Sequence, residues 1–179
     1  AVRPPVTMPV VHTLLLTVIG DDRAGLVKAL ADTVGEHGGN WERSRLAELA
    51  GKFAGIVEVS VPDEQADELR AALAGHAGLL EIDVHEGRAE EADAGPVVRL
   101  EVLGNDRPGI VREVSGALAA HGLSVDELST ETRDAPMAGG QLFEAKITAH
   151  APPGTDLAAV RAALEALAQE IQVDVTVDA

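Results

Sequence analysis

The sequence predicts an α+β fold in which one βαββαβ unit is written twice, each unit an antiparallel four-stranded sheet with two helices on one face. Two observations carry this. Residues 16–38 laid over residues 100–122 at an offset of 84 give identities at Leu16/Leu100, Val18/Val102, Gly20/Gly104, Asp22/Asp106, Arg23/Arg107, Gly25/Gly109, Val27/Val111, His37/His121 and Gly38/Gly122. Hydrophobic spacing then switches between strand period and helix period in the same order in both copies. An offset of 90 aligns Phe53 with Phe143, the two phenylalanines of the chain, so the second copy has gained six residues around 135–140.

The elements follow in order. Residues 11–19 and 97–103 are apolar, β-branched runs ended by glycine, as central strands are. Leu26, Val27, Leu30 and Val34, matched by Ile110, Val111, Val114 and Leu118, are spaced by threes and fours and mark one helical face. Both helices end in His-Gly, where glycine suits a left-handed terminus and histidine faces the negative end of the helix dipole. Strands are predicted near 41–49 and 53–61, then 124–132 and 142–150. In the last, Phe143, Ala145, Ile147 and Ala149 alternate with polar residues, so one face is buried.

The second helices begin after Pro62-Asp63 and Pro153-Gly154-Thr155, with core stripes at Leu69 and Leu73 and at Leu157, Val160, Leu164 and Leu167. Closing strands carry Leu80, Ile82 and Val84, then Ile171, Val173, Val175 and Val177. This order is the split βαβ, ferredoxin-like pattern. The expected division is a disordered arm at 1–9, a first domain at 10–86, a linker at 87–96 and a second domain at 97–179. Small cores and a bare sheet face suggest packing between copies or a homodimer.

Composition narrows the function. Fourteen basic against 30 acidic residues leave a formal charge of −16, and aromatic residues make up 2% of the 179. The charge divides evenly, with 8 basic and 17 acidic residues in 1–95 and 6 and 13 in 96–179. Neutralising phosphates takes clustered lysine and arginine, and stacking bases takes aromatic rings, so direct nucleic-acid binding is not expected. An anionic membrane surface is disfavoured by the same acidity. No cysteine is present, which removes thiolate metal sites and a cysteine nucleophile. The reading is a cytoplasmic protein with no cofactor.

The loop between first strand and first helix carries the chemistry, as Gly20-Asp21-Asp22-Arg23-Ala24-Gly25-Leu26 and Gly104-Asn105-Asp106-Arg107-Pro108-Gly109-Ile110. Free amides at a helix start bind a carboxylate, and Asp21, Asp22, Asn105 and Asp106 beside them can accept hydrogen bonds from an ammonium group. Together they suit a zwitterion such as a free amino acid. The plainer alternative is structural: Asp and Asn cap the helix, Pro108 opens its first turn, and Gly25 and Gly109 permit close approach.

The D-R-x-G-[LI]-V loop in a doubled βαββαβ frame resembles the ACT domain family of small-molecule regulatory modules. Residues 44–54 and 135–143 are more closely similar to the glycine cleavage system transcriptional repressor group of tandem ACT proteins. The resemblance implies regulation without catalysis, with amino acids, glycine or serine foremost, bound where units pair, and a protein partner such as a transcriptional activator. It implies that Asn105, Asp106, Gly109 and Ile110 line one site and Asp21, Asp22, Gly25 and Leu26 the other, with Asn40 facing the ligand. Ser124 replaces Asn40, and Ala24 the usual loop proline. A ligand-independent adaptor is the competing reading, and a regulatory fragment of an amino-acid or folate enzyme ranks behind it.

Other residues add little chemistry. Histidines 12, 37, 76, 85, 121 and 150 form no spaced ligand set, and Ser44 has no nucleophile elbow. Arg43 and Arg45 are expected in solvent or across an interface, and Trp41 in the core or an interface.

Overall fold

The structure is a computed structural model that describes residues 10–76, 78–87, 95–135 and 139–178. The predicted arm and residues 88–94 of the predicted linker lie outside those residues. The chain divides into two compact units, Ala1–Glu90 and Glu91–Ala179.

The first unit runs β1 (Val11–Asp21), α1 (Leu26–Glu36), β2 (Asn40–Leu49), β3 (Lys52–Pro62), a single 3-10 turn at Asp63–Gln65, α2 (Ala66–Ala74) and β4 (Glu81–Glu86). The second runs β5 (Val97–Asn105), α3 (Ile110–Ala120), β6 (Ser124–Asp134), β7 (Gln141–His150), α4 (Leu157–Ile171) and β8 (Val173–Asp178). Their sheets have the orders β2-β3-β1-β4 and β6-β7-β5-β8, antiparallel at every pairing. Each unit is therefore the ferredoxin-like βαββαβ fold.

Alternation along the central strands makes each core. Leu14, Leu16 and Val18 of β1 and Val57, Val59 and Val61 of β3 are buried with Leu30 and Val34 of α1 and Leu69 and Leu73 of α2. Val98, Leu100 and Val102 of β5 meet Phe143, Ala145 and Ile147 of β7 and Val160 and Leu164 of α4 in the second. The opposite sheet face of the second unit is charged rather than apolar: Glu144 pairs with Arg133 at 3.3 Å and with Lys146 at 3.8 Å.

Several local expectations change. The first strands do not stop at glycine but run to Asp21 and Asn105. Gly20 and Gly104 are there because a Cβ would fall 2.6 Å from the Leu79 carbonyl oxygen and 2.6 Å from Val173 Cγ1. Ile171 ends α4 instead of opening the closing strand; Gln172, at φ 57°, makes the left-handed break between them. Val27 and Val111 stay 46% and 42% exposed on the outer edge of the helical stripe. Arg43 is bonded within its own sheet, to Glu58 at 2.7 Å.

The six added residues fall in the β6–β7 hairpin. Leu49 pairs with Lys52 across a two-residue turn, whereas Arg133 pairs with Leu142 and the ladder gains Asp134 opposite Gln141. Helix ends match expectation: His37 and His121 are the C-cap residues, Gly38 and Gly122 have positive φ, and His37 Nδ1 donates to the Thr33 carbonyl at 2.8 Å. Trp41 packs against the first core.

His12 ties three segments together at the far end of β1. Its Nε2 meets Glu86 of β4 and its Nδ1 meets Asp63 at 3.1 Å, while Arg70 of α2 also bonds Glu86. The Glu86 hydrogen bond first, then Asp63, raises the His12 pKa above its ordinary 6.5. A raised folded pKa contributes stability that is fully present below 6.5 and is lost as pH rises through the folded value. Thermal melts of wild type and His12→Gln should therefore differ most near about pH 6 and converge toward about pH 9. A difference that grows with pH would contradict the assignment.

Candidate functional site

The two helices of interest start alike. Gly25 and Gly109 are the N-cap residues, in the left-handed region at φ 94° and 100°, and no side chain caps either helix. The predicted capping by Asp or Asn is thus absent, and Pro108 precedes the N-cap instead of entering the first turn. Nor does glycine serve close approach: a Cβ at Gly25 would meet nothing within 4 Å, and at Gly109 nothing nearer than 3.5 Å. Glycine is needed for its φ, which an L side chain adopts only with strain. The first-turn amides, lacking intrahelical partners and side-chain caps, retain donor capacity at the positive end of the helix dipole.

Backbone bonds hold both loops against the neighbouring hairpin. Asp22 N–H donates to the Gly51 carbonyl at 2.9 Å and Asp106 N–H to the Gln141 carbonyl at 2.8 Å. Asp22 and Asp106 are exposed and precede the capping glycines by three residues.

The acids flanking these two differ between units. Asp21 lies opposite Lys52 in the β1–β3 ladder and its carboxylate is bonded to the Lys52 ammonium. That hydrogen bond, with the attraction of the same charge, holds the Asp21 carboxyl below its ordinary pKa. The counterpart Asn105 lies opposite Leu142 and carries no charge. The second unit has its own ion pair instead, Arg107 Nη2 to Glu113 Oε2 at 2.6 Å, which bridges from the loop to the first turn of α3 beside Gly109. This bond lowers the Glu113 pKa and raises that of Arg107. Arg23, in the first unit, donates to the Gly78 carbonyl at 3.2 Å.

Not every predicted site residue gathers at the loops. Leu26 and Ile110 are each 2% exposed and anchor their helices in the core. Asn40 pairs with Ser60 and Lys52 with Asp21, so the run from 52 to 60 along β3 separates Asn40 from the loop by roughly 26 Å, at about 3.3 Å per residue. Its amide bonds Glu42 at 2.9 Å. Within one unit the structure therefore brings Asp21, Asp22 and Gly25 together, and Asn105, Asp106 and Gly109, without Asn40. Lys52 and the Arg107–Glu113 pair were missed from sequence; placing Phe53 opposite Gly20 would have set Lys52 opposite Asp21.

Among the described residues no group of three or more His, Asp or Glu could hold a metal ion. No described helix is long and apolar enough to cross a membrane.

Two βαββαβ units, each with a D-R-x-G loop leading into a glycine-capped helix, define a tandem protein of the ACT class. Residues 12–86 and 98–169 each match the ACT domain, and the chain belongs to that family. It is 28% identical over 163 residues to the glycine cleavage system transcriptional repressor of Escherichia coli (strain K12), covering 89% of this chain and 86% of that protein. The repressor of Shigella flexneri matches equally. A crystal structure of an unknown protein from Galdieria sulphuraria superposes with a TM-score of 0.83 at 31% identity, over 94% of this chain and 98% of that one. A second, named as a candidate glycine cleavage system transcriptional repressor, shares the fold at a TM-score of 0.69 and 19% identity, over 94% and 96%.

Proposed function

We propose that this chain is a non-catalytic regulatory protein whose occupancy by a small amino acid changes its grip on a protein partner. The observation that carries the reading is the pair of helix starts capped only by left-handed glycine, each beside an exposed aspartate, Asp22 or Asp106. Amides there can take a carboxylate and the aspartate an ammonium group, and a free amino acid carries both. The similarity to glycine cleavage system transcriptional repressors favours glycine or serine as ligand. It also favours a role in repressing transcription in glycine or related metabolism, which we read as an anti-activator role. A net charge of −16 favours action through a protein rather than on DNA. A cytoplasmic homodimer fits this role.

The second loop is the stronger site in this reading, since Asp106 stands beside a neutral Asn105 while Asp21 is already held by Lys52. Calorimetric titration of glycine, serine and other small amino acids tests it. Saturable binding that Asp106→Ala weakens at least tenfold is expected, and no heat with any of them removes the sensor claim.

The ligand-independent adaptor remains as a second reading because of one observation: Asn40 stands at the opposite end of its sheet from the loop. It predicts partner affinity that is indifferent to amino acids.

A further inference from the structure

An apolar cavity lies in the second unit between α3 and β6, with Val111, Val125 and Leu128 at its mouth. These three are 42%, 42% and 46% exposed, while Ile110, Phe143 and Ile147 behind them are buried. The enclosed part measures about 20 Å³, room for a methyl-sized group. Among the described residues lining it Ser115 alone is polar, and its hydroxyl donates to the Arg112 carbonyl at 3.2 Å. A trapped water needs several polar partners, so the space suits hydrocarbon and not water.

The units differ at this place. Trp41 stands where the second unit has Val125, since Trp41 pairs with Val59 beside Leu14 as Val125 pairs with Ala149 beside Val98. Trp41 packs against the first core, so the fold already seats a large apolar group there in one unit. The shorter Val125 leaves room for an apolar group from outside the chain.

The cavity also adjoins the helix start. Ile110 and Val111 line it and are the first two residues of α3, directly after the Gly109 cap. Phe143 lies opposite Gly104, at the loop end of β5. A helical Cβ tilts toward the N-terminus, so Val111 leans its side chain toward the loop, while its N–H is one of the first-turn amides without an intrahelical partner. One residue thus joins an anion-binding donor to a hydrocarbon-sized space.

We infer that the amino acid taken at the second helix start carries a branched aliphatic side chain, as valine and leucine do, and lays it in the cavity between α3 and β6. The inference rests on the proposed amino-acid response and names the class of ligand at that site. A methyl-sized depth suits the end of a branched chain better than an aromatic ring, and the apolar lining leaves a polar side chain without partners. Glycine and serine can meet the same amides but leave the cavity empty. Each buried CH₂ strengthens binding about fourfold, so a partly buried isopropyl or isobutyl group gains roughly tenfold over glycine.

The full chain is titrated with L-valine, L-leucine, glycine and L-serine by calorimetry, and methyl signals are followed by NMR. Valine or leucine is expected to bind at least roughly tenfold tighter than glycine and to shift the Val125 and Leu128 methyls. Val125→Trp, which puts the first unit's residue into the cavity, should collapse the valine-to-glycine ratio toward unity. Val111→Thr, nearly isosteric and on the exposed rim, should narrow it severalfold. The ratio is the readout because a damaged fold would weaken both ligands together. Glycine or serine binding as tightly as valine and leucine overturns the inference and leaves the sensor reading standing. So does valine binding that bypasses the Val125 and Leu128 methyls, or a ratio that survives both substitutions. No binding by any of the four removes the sensor reading and this inference with it.

Discussion

Gly55→Ala is expected to destabilise the first unit by about 3 kcal/mol, the upper part of the usual range for overpacking against surroundings that cannot yield. Gly55 sits in the centre of β3, between Val18 of β1 and Leu46 of β2. A Cβ built there would fall 1.9 Å from the Arg45 carbonyl oxygen and 2.8 Å from the Leu46 Cα. Both are backbone atoms of β2, so no rotamer change relieves the clash and the strand itself must move. The second unit shows the alternative: Ala145 holds the same place in β7, 3% exposed, with its methyl packed into the core. Denaturant titration of Gly55→Ala and wild type measures the loss, and slower β2 protection in hydrogen exchange should vanish with it. A loss below about 0.5 kcal/mol, the range of ordinary surface changes, would mean that β2 is free to shift.

Leu100→Ala should cost about 2–5 kcal/mol, the span found for truncating buried leucines. Leu100 is 1% exposed in β5, flanked by Ile147 of β7 and Val177 of β8, and belongs to the second core cluster. A unit of this size has little stability in reserve, so the variant's second unit should lose its cooperative transition well before the first. The separate clusters make the test local: probes in β1 and β3 should report an unchanged midpoint. An equal shift at probes in both units would show that the two cores unfold as one.

The fold was largely legible in the sequence because repetition doubled every signal. One apolar strand followed by one helical stripe is ambiguous; the same pair recurring at an offset of 84, with glycine, aspartate and arginine in register, is not. The six-residue gain in the second hairpin was legible for the same reason, from two phenylalanines that the ladders place opposite Gly20 and Gly104. What failed was detail set by non-local packing. Gly25 and Gly109 read as close-approach glycines, but only backbone φ distinguishes that role from a left-handed cap. The burial of Leu26 and Ile110, by contrast, follows the helical stripe that the spacing marks. Asn40 was carried over from the family's pattern, although the predicted strand–helix–strand order already starts β2 at the end of the sheet away from the loop.

Charge was legible as a total and not as a pattern. The −16 argued against nucleic acid, yet Asp21 of the first loop is held by Lys52 where the second loop has the uncharged Asn105, while Asp22 and Asp106 are both exposed. The account therefore stands on an asymmetry between two loops that look alike in sequence. Amide-resolved NMR during titration with glycine or serine tests it most directly. The account predicts saturable shifts at the Gly109, Ile110 and Val111 amides that exceed those at Gly25, Leu26 and Val27. Shifts at neither helix start, or shifts confined to residues away from both loops, would contradict it.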